Sequence, residues 1–479
     1  MFSAVYTERV LEPAYGNWKA LYAEDAMAVH RAHLVGLAER GIVERGTAAA
    51  IARAVDAIGR EFRYPERIPE GVEDLYFVFE RELGERVGAE RAAYLHTARS
   101  RNDMDTTVFR MALRRALAAL ARSALGTARA AASRARAGSA ELTVLYTHGQ
   151  PANVSTMGHY LEAFAADLAE DVEDLVAALG AVDRSTMGAC AITGTGFPLD
   201  RRRVASLLGF AGLVENSYQA ISTSHWLTRP AAATRALMGD CGRLAADLLH
   251  KASCEVGLVD FPDSLVQKSS MMPQKRNPVI LEHARIHASQ AAGGCAALED
   301  LYRNVPYQDV NEAADAPVSA FLGTLGIAES ALALVAEIAA KVSSNQARAR
   351  EIALRYGVTT TELADEMVRS AGIGFRTAHE ICAAFVRSGN EHGALRSAFS
   401  ERVGRELPFD DARIEDILSP ERFVAARRTE GGPAPEGMAG AYAALESRLA
   451  GIDASLRARD GRIASAEDEL ASAWKALLG

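Results

Sequence analysis

Residues 157–184 read MGHYLEAFAADLAEDVEDLVAALGAVDR, and this stretch decides the fold class. Apolar side chains recur along it at the three-to-four-residue spacing of one buried stripe on an α-helix. The stripe consists of Leu161, Phe164, Ala165, Leu168, Val172, Leu175, Val176 and Leu179. A helix of this length would be roughly 42 Å long at a rise of about 1.5 Å per residue. The stretch therefore predicts a long, packed helix.

The same long periodicity recurs elsewhere in the chain, with few strand-like runs between the periodic segments. The further helical segments are 108–137, 231–257, 279–298 and 314–341. Several helices of this length favour an elongated bundle. We predict an all-α protein with three helical domains. They are an N-terminal domain at 1–100, a central long-helix bundle with the loops between its helices at 101–350, and a C-terminal domain at 351–479.

Composition excludes several classes of protein. The net charge of −9 and the pI near 5.8 are not typical of a nucleic-acid surface. The five cysteines lack the paired spacing of a disulfide framework or a zinc site. The first residues lack the order of a signal peptide, and no stretch of about 20 residues is both uncharged and long enough to span a bilayer. We expect a cytoplasmic protein with no metal, cofactor, nucleic-acid or membrane partner.

A loop rich in ligand-binding groups follows the helical segment 231–257. Residues 269–278 read SSMMPQKRNP, and the two prolines disfavour a helix there. Taken alone, the run could be a solvated turn with incidental charge. Its hydroxyls, amide, lysine and arginine are, however, the groups that bind a carboxylate.

A second polar segment precedes a predicted helix that starts near Asp105. Residues 95–103 read LHTARSRND. A basic, hydroxyl-rich run that enters a helix N-terminus favours an anion site, because exposed backbone donors and the helix dipole act together. For Asp103 or Asp105, helix capping is as well supported as any functional role.

A third segment, 146–153, reads YTHGQPAN and leads into the helix at 157–184. A lone histidine such as His148 is more often structural than catalytic. Here it is bracketed by Thr147, Gln150 and Asn153 in a predicted loop, which favours a polar pocket.

Together the three segments resemble the signatures of one enzyme superfamily. The run at 269–278 resembles the Gly-Ser-Ser-x-Met-Pro-x-Lys-x-Asn-Pro loop of the fumarase/aspartase superfamily, with Lys268 in place of the glycine. The run at 95–103 is similar to the His-Thr-Gly-Arg-Ser-Arg-Asn-Asp motif of argininosuccinate lyases, with Ala98 for glycine. The run at 146–153 is similar to their Tyr-Thr-His-x-Gln-Pro-Ala-Gln loop. The chain is thus identified as a member of the argininosuccinate lyase branch.

Weaker similarity at 193–201, 375–380 and 431–432 extends the resemblance over most of the chain. It implies a homotetramer whose long central helices form a twenty-helix bundle. Each active site would take one signature loop from each of three subunits. The motifs lie about 50 and 120 residues apart, so the ends of long helices must be brought together.

The resemblance also implies a reaction, the reversible elimination of fumarate from an N-substituted aspartate. Ser269 matches the general base, and Lys275 and Asn277 are assigned to the carboxylate that becomes doubly charged, the aci-carboxylate. His148 would protonate the departing nitrogen or support a water that does so. The residues expected to bind substrate are Ser100, Arg101, Asn102, Thr147, Gln150, Ser270 and Asn311.

An ordinary serine hydroxyl is too weak a base for this proton. The loop must therefore lower the pKa of Ser269 with nearby cations and backbone donors. The expected sources are Lys275, Arg276 and the N-terminus of the helix after Pro278.

The resemblance fails where argininosuccinate lyases hold the arginine half of the substrate. The family's Tyr-Asn-Lys-Asp-Leu-Gln-Glu-Asp-Lys segment is PYQDVNEAA at 306–314, so Asn311 replaces glutamine and Ala314 replaces lysine. Tyr76 replaces a histidine, and alignment places Lys19 where an acidic residue would face the guanidinium. We therefore expect a different amine half, such as that of the aminopolycarboxylate ethylenediamine disuccinate.

Three alternatives stay open at this point. Argininosuccinate itself could be the substrate, since loop alignments without neighbours can slip. The chain could instead be a catalytically silent structural relative, although the cationic loop would then have no physical purpose. It could also be a regulatory ligand-binding protein, which any fumarate turnover would exclude.

Overall fold

The computed structural model describes residues 2–479, and 71% of the chain is helical. This confirms the predicted all-α class. The N-terminal region consists of short and medium helices joined by two π-helical turns, Thr7–Leu11 and Trp18–Tyr22, and one 3-10 turn, Tyr94–His96. Its α-helices are α1 (Ala4–Tyr6), α2 (Glu12–Asn17), α3 (Ala23–Glu39), α4 (Arg45–Glu61), α5 (Leu75–Val87) and α6 (Ala89–Ala93).

The central region contains five long helices, and within residues 2–479 the strands all lie in it. Its helices are α7 (Arg101–Ala137), α8 (Met157–Val182), α9 (Arg201–Leu207), α10 (Ser217–Ser222), α11 (His225–Lys251), α12 (Val279–Leu301) and α13 (Asp315–Lys341), with 3-10 turns at Asp263–Leu265 and Asn311–Ala313. Its strands are β1 (Leu142–Thr147), β2 (Gln150–Thr156), β3 (Arg184–Ser185), β4 (Gly212–Leu213), β5 (Val259–Asp260), β6 (Gln267–Lys268), β7 (Arg276–Asn277) and β8 (Ser343–Ser344). β3 pairs parallel with β4, whereas β1–β2, β5–β8 and β6–β7 are antiparallel.

The C-terminal region begins with a group of shorter helices and ends with one very long helix. These are α14 (Gln346–Arg355), α15 (Thr360–Ala371), α16 (Phe375–Arg387), α17 (His392–Val403), α18 (Asp411–Leu418), α19 (Pro420–Ala426) and α20 (Pro435–Leu478). α15 to α18 enclose a small core of their own around Phe385 and Phe399. α20 packs against α7, α8, α3 and α4 and adds side chains to the main core. The proposed division into three domains remains a prediction.

Five helices, α7, α8, α11, α12 and α13, pack side by side as the central bundle. α8, α11, α12 and α13 each bury one apolar stripe, whereas α7 is buried on all sides over residues 106–114. In α8 the stripe includes Leu161, Leu168, Val172 and Leu175, which are at most 1% exposed. This confirms the predicted helix at 157–184. The prediction was possible because such a strict periodicity can be recognised without knowledge of the tertiary structure. The predicted 231–257 segment is displaced, since α11 begins at His225 and ends at Lys251.

The outer face of α13 is unusually apolar. The segment Asn311–Lys341 has the length and composition of a membrane-crossing helix, with a mean hydropathy of 1.8 in its best window, 39% of which is buried. This property was not predicted from the sequence. The inner face packs against α7, α11 and α12. Between Ala316 and Ala333 the exposed residues lie close to one line along the helix and are small, namely Ala316, Ala320, Gly323, Gly326, Ser330 and Ala333, and the exposed Glu337 follows on the same line.

Candidate active site

The segment 95–103 ends in a capped helix start. Ser100 is the N-cap of α7, and its side chain accepts a hydrogen bond from the backbone N–H of Asn102. In return the Oδ1 of Asp103 accepts from the N–H of Ser100 at 2.7 Å, and its Oδ2 accepts from Gly188 at 2.7 Å. α7 therefore begins at Arg101, a turn earlier than the predicted start near Asp105, because Asp103 closes a capping box. Of Asp103 and Asp105, the two candidates for helix capping, Asp103 is the residue that takes part in the cap.

Arg101 and Asn102 project from this helix start, half-buried, and each meets a carboxylate. Arg101 pairs with Asp74 and lies 3.4 Å from Glu73. The Nδ2 of Asn102 donates to the Oδ2 of Asp309 at 2.6 Å. Burial raises the pKa of the Asp309 carboxyl, and the bond from Asn102 opposes this. The helix start thus presents Ser100, Arg101 and Asn102 within an acidic surround.

The segment 146–153 is a β-hairpin, so the predicted loop is wrong. β1 and β2 pair through Thr147 and Gln150, and His148 and Gly149 form the two-residue turn between them. His148 has φ 52° and Gly149 has φ 75°, the left-handed values that a tight hairpin turn requires at both positions. Thr147, His148 and Gln150 are all exposed at this tip. The hairpin therefore presents a group of polar, chemically competent side chains at its tip.

The loop at 269–278 closes on its first serine. The Oγ of Ser269 accepts hydrogen bonds from the backbone N–H groups of Met272 at 2.9 Å and Met271 at 3.3 Å. The N–H of Ser269 donates to the carbonyl of Lys275 at 3.2 Å, and the N–H of Lys275 donates to Met272 at 3.0 Å. Two donors on one oxygen stabilise negative charge there, which is the environment that a serine base needs. Ser270 and Lys275 are exposed beside it, and Asn277 is half-buried.

Arg276 anchors this loop. Its guanidinium contacts Asp260 at 3.1 Å, Asp263 at 2.9 Å and the carbonyl of Phe261 at 2.9 Å. Lys268 also pairs with Asp263, at 2.7 Å. The positive charge of Arg276, which was expected to lower the pKa of Ser269, is therefore shared with the carboxylates of Asp260 and Asp263. Of the expected sources, the backbone donors are the ones in direct contact with the Ser269 oxygen.

The predicted site residues form three groups in the chain. The first is the α7 start, to which the loop 302–314 is joined through Asp309, with Asn311 exposed in that loop. The second is the hairpin tip, and the third is the Ser269 loop. Within residues 2–479, no hydrogen bond or ion pair joins any of these groups to another.

Comparison with known proteins identifies the family. A lyase family model matches residues 9–293, and a model described as the argininosuccinate lyase C-terminal domain matches residues 357–425. Argininosuccinate lyase 2 of Agrobacterium fabrum is 40% identical over 99% of this chain and 96% of its own length. The chain belongs to the argininosuccinate lyase family. Argininosuccinate lyase of Natronomonas pharaonis is 36% identical over 95% of the chain and 93% of its own length.

A solved relative gives the structural counterpart. A variant of EDDS lyase with bound fumarate superposes with a TM-score of 0.85 and 27% identity, over 96% of this chain and 92% of its own. The predicted superfamily and branch are thus confirmed. So is the predicted reaction class, elimination of fumarate by cleavage of a carbon–nitrogen bond. The chain is an enzyme, a carbon–nitrogen lyase.

Two features of the site were missed by the sequence analysis. Asp309 was not selected, although it lies two residues before Asn311 in a segment already compared with the family. Lys19 was expected to face the amine half, but its ammonium donates to the carbonyls of Pro65 at 2.9 Å and Glu66 at 2.6 Å. Neither contact could be read from sequence spacing, because each joins residues far apart in the chain.

Proposed function

We propose that this lyase eliminates fumarate from an N-substituted aspartate whose amine half is not arginine, an aminopolycarboxylate such as ethylenediamine disuccinate. The observation that carries the chemistry is the pair of backbone donors on the Ser269 oxygen. The reaction starts with loss of a proton from the carbon beside a carboxylate, and a serine can remove it only if its alkoxide is stabilised. Ser269 is the base in this mechanism.

The adjacent substrate carboxylate must accept a second negative charge as the proton leaves. Lys275 and Asn277 stabilise it, Lys275 by its charge and Asn277 by its amide donors. Ser270 is exposed at the same loop and adds a hydroxyl donor. Charge that develops only in the transition state makes these contacts stronger there than in the ground state, which is the condition for catalysis.

The amine leaves from the neighbouring carbon and must gain a proton. His148 supplies it, directly or through a water, from the tip of the hairpin. Thr147 and Gln150 flank it and orient the carbon–nitrogen bond. Ser100, Arg101 and Asn102 hold the second carboxylate at the start of α7 through their hydroxyl, guanidinium and amide donors.

We also infer that the enzyme is a homotetramer with a twenty-helix central bundle. The small, uncharged outer face of α13 between Ala316 and Ala333 supports this, because such faces allow close helix packing and are seldom left to water. Ile286 and Leu301 of α12 are likewise exposed. Five bundle helices from each of four chains would bury these faces and would bring the three site groups together from three subunits. The five unpaired cysteines are in keeping with a cytoplasmic enzyme.

The amine half is inferred from the loop 302–314. Ala314 presents only a methyl group where argininosuccinate lyases have a lysine, so a contact to the arginine half is lost. Lys19 is bonded to two carbonyls, so this inference draws on the loop and not on Lys19. Similarity to EDDS (ethylenediamine disuccinate) lyase, a protein whose structure was solved with bound fumarate, supports the assignment.

Argininosuccinate remains a second candidate because of one specific observation. Asp309 and the carboxylates that pair with Arg101 make the surroundings of the α7 start acidic, which also suits a guanidinium. The 40% identity to an argininosuccinate lyase points the same way.

The deciding experiment compares specificity constants for ethylenediamine disuccinate and argininosuccinate by the ultraviolet absorbance of fumarate. We expect the first to exceed the second by at least about 100-fold, since unpaired polar groups in a site discriminate strongly. Efficient cleavage of argininosuccinate, near about 10⁴ M⁻¹s⁻¹ or above, would assign the second function instead. If both compounds are poor substrates, the enzyme is incubated with fumarate and a set of amines, and mass spectrometry of the adducts identifies the amine.

A further inference from the structure

A lysine lies buried at the C-terminal end of α11. Lys251 is 2% exposed, although lysine is among the residues least often found inside a protein. Burial lowers the pKa of its ammonium, and the nearby carboxylate of Asp247 opposes this. A buried cation at this position needs compensating partners, and their identity indicates what the residue does.

Two aromatic rings and one carboxylate surround the ammonium. The Nζ lies 5.2 Å from the ring centre of Tyr146 and 5.0 Å from that of Tyr160. It lies 3.7 Å from the Oδ2 of Asp247, which also accepts a 2.6 Å hydrogen bond from the hydroxyl of Tyr160. Aromatic faces attract a cation most strongly when both are removed from water. Lys251 is thus the point at which α8, α11 and β1 meet.

Tyr146 connects this cluster to the proposed acid. It belongs to β1, two residues before His148, next to the irregularity in pairing between Leu145 and Tyr146. At such an irregularity the strand bends, and the ladder alone does not fix the direction of the tip. The rings of Tyr146 and His250 also meet nearly perpendicular to each other, with ring centres 5.7 Å apart. The Tyr146 side chain is therefore the part of the hairpin nearest its tip that is held by the bundle.

We propose that Lys251 is a positioning residue, which fixes the hairpin through the Tyr146 ring and so sets the place of His148 in the active site. The inference goes beyond the proposed function and rests on the role given there to His148. Lys251 does not contact the substrate. It contacts the hairpin at Tyr146, one residue pair from the exposed tip, and the tip must hold one orientation for proton transfer.

The test compares Lys251→Met with Lys251→Arg in the full-length enzyme. Methionine keeps the length of the side chain and removes its charge, whereas arginine keeps a cation that aromatic faces bind. We expect Lys251→Met to lower kcat by about tenfold to 100-fold with KM changed less than about twofold, because a small misplacement has effects of this size. Lys251→Arg should recover most of the loss. Lys341→Met, at an exposed lysine paired with Glu337, is the matched control and should be unchanged.

A double substitution separates positioning from general destabilisation. If Lys251 acts through His148, Lys251→Met should add no further loss to His148→Asn. A full additional loss in the double variant would overturn the proposal, as would wild-type kcat in Lys251→Met. If Lys251→Met does not fold, Tyr146→Leu replaces it, since it removes the same contact from the hairpin side and should show the same pattern.

The outcomes also distinguish this proposal from the proposed function. Near-normal activity in His148→Asn would refute the role of His148, whatever Lys251→Met does. A large loss in His148→Asn together with full activity in Lys251→Met and Tyr146→Leu would refute only the positioning role.

Discussion

Asn102 and Asp309 lie 207 residues apart in the chain, and the Nδ2 of Asn102 donates a 2.6 Å hydrogen bond to the Oδ2 of Asp309. This bond ties the loop 302–314 to the start of α7. The loop is further held by the hydroxyl of Tyr218, which donates to the carbonyl of Tyr307. A carboxylate from the segment that departs from the argininosuccinate lyase motif is thus placed against a proposed substrate-binding amide.

Asp309→Ala should therefore change substrate use more than folding. With one Asn102 N–H bonded to Asp309, the amide has a fixed orientation, and loss of that bond should raise KM by about tenfold. The measurement is KM for the best substrate by fumarate absorbance. Asp300→Ala, at an exposed carboxylate paired only with Arg303, is the control and should behave as wild type. An unchanged KM in Asp309→Ala would show that the bond has no role in binding.

Ser269→Ala should leave the protein folded and lower turnover by at least about 10³. The residue is half-buried in a loop, and its oxygen makes only the two bonds to backbone N–H groups, so little packing is lost. Turnover is measured at saturating substrate, with circular dichroism as the check on folding. Ser264→Ala, an exposed serine five residues earlier, is the matched control. Near-normal turnover in Ser269→Ala would remove the proposed base.

Lys275→Ala should depress kcat more than it raises KM. Its charge acts on the carboxylate that gains a second negative charge, and this charge exists only in the transition state. We expect a loss of about 10²–10³ in kcat, the usual effect of removing one such donor. The full dependence of rate on substrate concentration separates the two constants. A rise in KM alone would make Lys275 a simple anchor for the substrate.

The sequence predicted the helices better than the site. α8 could be located almost to the residue, because its periodicity repeats over seven turns and needs no partner to be recognised. The hairpin at His148 was missed because its turn, His148-Gly149, lacks the Asn-Gly signal and its strands are polar near the tip. The α7 start could have been found from the Ser100 and Asp103 spacing. The contact between Asn102 and Asp309 could not, since it depends on the path of the whole bundle.

Mixing two inactive variants should restore activity. If His148 and Ser269 of one site come from different subunits, a random mixture of His148→Asn and Ser269→Ala chains gives both intact residues at about a quarter of sites, one half times one half. The recovered turnover is measured after subunit exchange, with native mass spectrometry to verify hybrid tetramers. Hybrids that remain as inactive as the parents would place both residues in a site formed by a single chain.

Two buried histidines that contact the segment 95–103 should make the enzyme sensitive to acid. Burial and, second, the charge of Arg99 lower the pKa of His33 to about 3, and the same causes lower the pKa of His30 well below its ordinary value. The unfolded chain binds a proton at each of these residues below about pH 6.5, whereas the folded chain does not. The stabilisation that this difference in proton binding gives the folded state is therefore fully present above about pH 6.5 and is lost as the pH falls towards 3.

For His33 alone, moving from pH 7.5 to 5.5 should reduce the free energy of unfolding by about 1.4 kcal/mol, since one pKa unit corresponds to about 1.36 kcal/mol. Asp171 acts in the opposite direction, because burial raises its pKa to about 7 and the folded chain then holds the extra proton. The comparison is therefore between wild type and His33→Gln, in which the Asp171 effect is the same and cancels. Urea unfolding at both pH values and one protein concentration should show a smaller loss in His33→Gln. His225→Gln, at an exposed histidine, is the control and should lose as much as wild type. Equal losses in wild type and His33→Gln would mean that the buried histidine does not set the acid limit.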